Sequence, residues 1–193
     1  MSEGIVPCRN VAVALVHYPV YDKNRQVVTT AVTNLDIHDI ARAARTFGLG
    51  RYYVVTPVAG QQMLAERIVM HWQDGWGAQY NPKRKSALEL VRIVSTLDAA
   101  VSDLEAAFGR PPKLVTTGAR SRTETVSCGD LSELLRDERQ PYLLVFGTGW
   151  GLTEEVTSRA DMVLEPIQGP GDYNHLSVRS AVAIIMDRLF GMR

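Results

Sequence analysis

Histidine is the side chain whose charge changes near neutral pH, so the four histidines of this chain are the first places to seek proton transfer. His17 follows an apolar run, His38 stands in Asp36-Ile37-His38-Asp39, His71 adjoins Trp72, and His175 follows Asn174. His71 has only loop context and reads as structural. For His17, His38 and His175 a base, a phosphate donor and a packing residue all stay open. The His38-Asp39 pair with Asp36 and His17 also suggests a metal-dependent phosphohydrolase. Such sites usually draw more ligands from neighbouring helices, and the histidines form no i, i+4 pairs.

A second cluster is backbone rather than side chain. Gly147-Thr148-Gly149-Trp150-Gly151-Leu152-Thr153-Glu154-Glu155 follows a strong strand pattern and runs into a short helix. Glycines there let amide groups approach a ligand without a Cβ in the way. A Rossmann-type methyltransferase or dinucleotide site is one reading, with Glu165 near the spacing of a ribose-binding acid. That loop belongs after the first strand of a doubly wound sheet, and too few residues follow Gly151 to build the rest. A purely structural glycine turn is the other reading.

The elements that would position these groups alternate. Val11–Val16 is a short apolar run suited to a strand covered on both faces, and 27–32 is a second extended piece. Ile37 to Phe47 reads as a helix, Tyr52–Val55 as a strand and Gln61 to Met70 as a helix. A glycine- and aromatic-rich loop, His71 to Gly77, follows, then helices over Ser86–Val94 and Leu97–Phe108. Lys113–Thr117 and Tyr142–Phe146 are strands, with a short helix at Leu131–Leu135 between them. Ala160–Leu164 is a short strand. A proline-glycine loop over Glu165 to Tyr173 leads into a final helix that Asn174 to Val178 opens and that ends near Leu189. Strands alternating with helices imply an α/β fold, a mostly parallel sheet with helices on both faces. Ligands then bind beyond the carboxyl ends of the strands.

Leu114-Val115-Thr116-Thr117-Gly118, Leu144 to Leu152, and Pro166-Ile167 through Leu176-Ser177-Val178-Arg179-Ser180-Ala181 resemble, in order, the last three motifs of the SPOUT RNA methyltransferases. Ile37 to Gly48 is similar to that family's arginine-bearing helix, with Arg42 at the characteristic position. The whole-chain pattern further resembles a small bacterial branch linked to the tRNA guanine-N1 enzymes. The resemblance implies one domain over 1–193, a C-terminal deep trefoil knot, and knot and cofactor loops within about 113–190. It implies S-adenosylmethionine held by Thr116, Thr117, Gly147, Thr148, Gly149, Gly151, Pro166, Ile167, Asn174, His175, Leu176 and Ser177. It also implies an RNA substrate, tRNA or rRNA, and a homodimer with the active site at the subunit interface. Catalytic work falls to Arg42, which holds RNA phosphate or lowers the pKa of the target, with Asp36, His38, Asn174 and His175 as its company. Ribose 2′-hydroxyl enzymes usually carry an SLNVS pattern. Here the stretch reads His175-Leu176-Ser177-Val178-Arg179, so a base nitrogen such as guanine N1 is equally open. A non-catalytic RNA-binding protein of the same fold is the competing reading.

Composition bounds these readings. Of 193 residues 46% are hydrophobic and 22% charged, enough for a real core. Twenty-one basic residues balance twenty-one acidic ones, so any nucleic-acid surface must be local: Lys83-Arg84-Lys85, Arg110 with Lys113, or Arg120 with Arg122. Two cysteines, Cys8 and Cys128, without CxxC spacing suit a reducing cytoplasm and no bound metal. No apolar run is long enough to span a membrane, and the N-terminus lacks the pattern of a secretory signal.

Overall fold

In the computed structural model, residues 10–119 and 125–192 are described. The chain opens with strand β1 (Val11–Val16), a hairpin of β2 (Val20–Tyr21) and β3 (Val27–Val28), helix α1 (Asn34–Thr46) and strand β4 (Arg51–Val55). Helices α2 (Ala59–Gln73), α3 (Trp76–Tyr80) and α4 (Pro82–Leu88) precede strand β5 (Val91–Val94). Helix α5 (Leu97–Phe108), strand β6 (Lys113–Thr116), helix α6 (Cys128–Leu134) and strand β7 (Tyr142–Gly147) follow. Helix α7 (Glu154–Thr157), strand β8 (Met162–Val163) and helix α8 (Val178–Phe190) complete it.

Six strands form one sheet in the order β5-β4-β1-β7-β6-β8, and every adjacent pair is parallel. Parallel strands need helical crossovers, which cover both faces of the sheet, and this is why β1 is apolar at every position. Val11, Val13 and Leu15 join Leu144 and Phe146 under α1, α2, α4, α6 and α8. Ala12, Ala14 and Val16 point the other way, toward Leu97, Ala100 and Leu104 of α5 and Val156 of α7. β1 winds outward through β4 to β5, whereas β7 returns to pair with the free side of β1. The direction of winding thus reverses between β1 and β7, where Val16 faces Gly147. Crevices at such reversals are where open α/β sheets place ligands.

The alternating α/β reading holds, with four local differences. Residues 86–94 are not one helix. Asn81 caps α4 by accepting from Arg84 N, Pro82 occupies its first turn, and the helix ends at Leu88. Val91–Val94 then pairs with β4, because β-branched residues fit a pleated edge better than a helix. Residues 71–77 are largely helical, α2 running through Gln73 and α3 starting at Trp76, with a break around Gly75. In 27–32 only Val27–Val28 pairs, antiparallel with β2. The last helix begins at Val178, capped by Ser177 accepting from Ser180 N, so Asn174 to Leu176 belong to the preceding loop. Cys8, Arg120 and Arg122 lie outside the described residues.

Helix α8 buries Val182, Ile185, Met186 and Leu189 against the sheet, α1 and α6. Met186→Ala, at a fully buried site, should lower unfolding free energy by roughly 2–5 kcal/mol. Denaturant unfolding measures it; a loss well under 1 kcal/mol would show that α8 is not part of the core.

Candidate active site

At the winding reversal a chain of hydrogen bonds links three segments. His17, just past β1, is fully buried. Its Nδ1 lies 3.1 Å from Thr30 Oγ1, and Thr30 Oγ1 makes a short hydrogen bond with Thr148 Oγ1. Thr148 Oγ1 donates to Val16 O at 3.0 Å. Each hydroxyl has one proton to give. With the Thr148 proton on Val16 O, the Thr30 hydroxyl donates to Thr148 and His17 Nδ1–H donates to Thr30. The lone pair is then on Nε2, which is buried without a partner. Burial pushes the His17 pKa down to about 4, against a smaller upward pull from Asp36.

The glycine loop sits on the β2–β3 hairpin. Trp150 N donates to Tyr21 O, and Tyr21 N donates to Gly151 O, both at 2.9 Å. Gly149 has φ of +58°, and a Cβ there would lie 2.9 Å from Tyr21 O. At Gly147 a Cβ would meet Leu152 N at 2.7 Å. A larger residue at Gly149 pushes the loop off the hairpin, and one at Gly147 forces apart the loop's own turn at Leu152. Gly149 therefore answers first to the hairpin and Gly147 to the turn of its own loop, close approaches within the chain that spacing alone does not reveal. Trp150, between Gly149 and Gly151, is exposed.

Two more loops complete the carboxyl end of the sheet. Thr116 ends β6 with its hydroxyl buried and unpartnered, and Thr117 donates to Val145 O through both N and Oγ1. Thr153 closes the glycine loop with a second buried, unpartnered hydroxyl. Buried polar atoms are nearly always paired, so orphans beside a ligand-binding edge fit groups that a cofactor would complete. After β8, Pro166 and Ile167 are half-buried, and Ile167 packs on the core. Asn174 Nδ2 donates to Ala119 O at 3.1 Å, tying this loop to the one after β6. His175 is exposed, its ring 6.4 Å from Trp150 and 6.5 Å from Tyr173. Exposed Leu176 and the cap residue Ser177 follow.

Helix α1 carries the remaining candidates on two flanks. Asp36 accepts from its N-cap Thr33 at 2.6 Å and from Arg179 Nη1 of α8 at 2.7 Å. Its side chain is only 7% exposed. Arg179 Nε also lies 3.5 Å from Asp39. His38, on the other flank, is half-buried with its ring edge-on to Trp72 at 5.4 Å. Burial, then the charges of Arg84 and Arg42, lower its pKa, while Asp39 opposes them. Arg42 is exposed on the solvent side of the helix, one turn from His38.

The structure thus gathers Thr116, Thr117, Gly147, Thr148, Gly149, Gly151, Pro166, Ile167, Asn174, His175, Leu176 and Ser177 on the loops beyond β6, β7 and β8. It sets Arg42 and His38 apart on α1. Among the described residues, no hydrogen bond, ion pair or ring contact joins His38 or Arg42 to Asn174 or His175. Thr30 and Arg179 are the residues that pattern reading passed over. Thr30 gives no motif signal, and Arg179 shows only as the residue standing where the SLNVS pattern has its last serine.

His17 yields a pH dependence. Unfolded, it titrates near 6.5; folded, about 4. A lowered folded pKa means that the unfolded chain takes the proton first, so stability is full above 6.5 and falls as pH drops from 6.5 toward 4. From pH 7 to 5 the loss through His17 should be about 2 kcal/mol, and His17→Gln should remove that part of the slope. An imidazole titration by NMR with its midpoint near 6.5 would refute the neutral, buried assignment.

Comparison with known proteins shows the family and the fold. Residues 10–191 match the SAM-dependent RNA methyltransferase family. The chain is 47% identical over 185 residues to a tRNA (guanine-N(1)-)-methyltransferase of Oleidesulfovibrio alaskensis, covering 96% of this chain and 43% of that protein. It therefore spans less than half of that enzyme. It is 44% identical over 181 residues to an uncharacterized protein of Aquifex aeolicus, covering 94% of this chain and 88% of that one. In fold it is similar to the SpoU methyltransferase AviRb from Streptomyces viridochromogenes, solved in complex with the cofactor AdoMet. The TM-score is 0.58 at 18% identity, over 93% of this chain and 56% of the other. The chain belongs to the SAM-dependent RNA methyltransferase family, carried on the α/β fold of the SpoU enzymes.

Proposed function

We propose that this chain methylates tRNA or rRNA at a base nitrogen such as guanine N1 or at a ribose 2′-hydroxyl, with S-adenosylmethionine held by the loops after β6, β7 and β8. The observation that carries it is the convergence of those loops beside the winding reversal, where two buried hydroxyls, Thr116 and Thr153, lack partners. S-adenosylmethionine, when bound, supplies an electrophilic methyl group on a sulfonium. Adenine suits loop backbone around Gly147 to Gly151 and 166–176, with Trp150, Leu176 and Ile167 as apolar lining.

The protein's share of the chemistry is to align the nucleophile and accept its proton. Arg42, exposed and outside the salt bridges of α1, is free to hold an RNA phosphate or stabilise charge developing on the target. His38 is held neutral by burial and by neighbouring cations, the state a proton acceptor needs. Asp36 is committed to Thr33 and Arg179, so its role is to fix α8 on α1 rather than to move a proton. Asp39 also faces Arg179, and among the described residues no group of three or more His, Cys, Asp and Glu is placed to hold a metal. Neither fact favours a phosphohydrolase at His38 and Asp39.

We extend the proposal to a homodimer with the active site at the subunit interface. In support, among the described residues no hydrogen bond, ion pair or ring contact joins His38 or Arg42 to Asn174 or His175, and a twofold partner can supply the second set. The trefoil knot is supported by the run after β8. Glu165 N donates to Val126 O and Asn174 to Ala119 O along the β6–α6 connection, and α8 then covers the face opposite α7. One domain over 1–193 and a cytoplasmic place among RNA complete the proposal. Among the described residues no helix is long and apolar enough to cross a membrane.

Arg42→Ala separates catalysis from folding. As an exposed residue it should change stability by less than about 1 kcal/mol and leave S-adenosylmethionine affinity, measured by calorimetry, near the wild-type value. Methyl transfer to total tRNA and rRNA should fall roughly 100-fold. Full activity in the variant removes Arg42 from the site; heat from NAD but none from S-adenosylmethionine would overturn the cofactor assignment.

A further inference from the structure

The basic run on α4 and the aromatic residues before it remain without a task in the scheme above. Trp72, near the end of α2, organises them. His38 of α1 meets its ring edge at 5.4 Å, and Arg84 of α4 lies over its face, 4.5 Å from the centroid. A Cβ on Gly77 of α3 would lie 2.7 Å from its Cε3, so α3 seats directly on the indole. With Gly77 turned inward, Trp76 and Tyr80 of the same short helix turn outward. Their rings stack on each other, centroids 4.8 Å apart and planes 20° apart, yet they are 68% and 70% exposed.

Leaving two large rings stacked in water is a poor use of apolar surface unless something covers them. The surroundings say what. Lys83, on the adjoining helix α4, is exposed and Arg84 is half-buried, its Nε buried with no hydrogen-bond partner. Lys85 and Arg92 share a shallow depression with Asp74 and Glu89, so charges balance on that side, whereas Lys83 and Arg84 lie outside it, Arg84 over Trp72. His38, in turn, feels both Arg84 and Arg42. Cations therefore run from α4 across Trp72 to the exposed side of α1. An aromatic platform bordered by cations is the arrangement that binds single-stranded nucleic acid, bases stacking on rings while phosphates meet the charges.

We propose that Trp76, Tyr80, Lys83 and Arg84 form a stacking platform for an unpaired stretch of the substrate RNA, continuous with Arg42 and His38. The proposal rests on the RNA-methylation reading for its partner. The platform explains how a chain of zero net charge engages RNA: contact is concentrated on one flank. It also gives the active helix a means to hold an unstacked nucleotide near Arg42.

The test uses the full chain with two fluorescein-labelled probes, a tRNA transcript and a 12-nucleotide oligouridine. Affinity is read by anisotropy over a salt series. Trp76→Ala and Tyr80→Ala should each weaken oligouridine binding roughly 5- to 100-fold, and Tyr80→Phe, which keeps the ring, should bind as wild type. Lys83→Ala should make the salt dependence shallower by about one unit of log–log slope. Calorimetry with S-adenosylmethionine is run on every variant and should not change. Unaltered affinity for both probes in a Trp76→Ala/Tyr80→Ala variant overturns the platform. So does a fall in light-scattering mass with RNA binding intact, which would make the rings a contact between copies of the chain. Failure of the wild type to bind S-adenosylmethionine would strike the methylation reading and leave the RNA measurement to judge the platform alone.

Discussion

A carboxylate taken out of water must find a compensating charge or hydrogen bonds, because an isolated buried ion is far too costly. Asp36 meets that demand with Thr33 on one oxygen and Arg179 on the other, although Arg179 lies 143 residues along the chain. This contact ties the start of α8 to the start of α1. The loop after β8 ends at that point, so its course past the β6 and β7 loops is set at one end by β8 pairing with β6 and at the other by the Arg179 clamp. Remove the clamp and Asp36 is left buried with one partner, a change that costs several kcal/mol in comparable pairs. The loop after β8, one of those proposed to hold the cofactor, is anchored at that junction.

The same logic governs the winding reversal. β1 and β7 are apolar because helices cover both faces, and their last residues bring His17 and Thr148 side by side. His17 is neutral there because the site is dry, and Thr30, itself bonded to Thr148, satisfies one nitrogen while the other stays unpaired. A protonated imidazole at this position would put a charge that Asp36 only partly offsets beneath the glycine loop. The loop is in turn stitched to the β2–β3 hairpin by backbone hydrogen bonds. Sheet core, neutral histidine, hairpin and glycine loop therefore form one connected support for the ligand edge.

Much of this was legible in the residues. β1 and β7 are unbroken apolar runs, α1 and α5 have clear helical spacing, and the order of loops after β6, β7 and β8 carries the family resemblance; the caps Thr33 and Thr96 emerge only in the structure. β5 was hidden because four residues with Arg92 pointing outward follow α4 almost without a break, and Ala87-Leu88 continue an apolar spacing into it. α3 was hidden because Gly75 and Gly77 resemble loop residues, whereas Gly77 is there to let the helix approach Trp72. The Asp36–Arg179 pair joins residues too far apart in sequence for any spacing rule. Asp36 reads in the sequence as an acid available for chemistry; its burial and its pairing with Thr33 and Arg179 favour a part in holding α8 on α1. The glycine loop was recognisable as a place of close approach, but not that Tyr21 O makes the approach at Gly149.

The central claim is that this fold, with these loops and this arginine-bearing helix, methylates RNA. The most direct measurement is mass spectrometry of the modified nucleosides in tRNA and rRNA from cells with and without the protein. RNA from cells lacking the protein is then incubated with purified protein and deuterium-labelled S-adenosylmethionine. The expected result is one methylated nucleoside missing without the protein and restored with the deuterated methyl group. Identical nucleoside inventories in the two strains, with no label entering RNA in the incubation, would contradict the claim and leave a fold that binds RNA without modifying it.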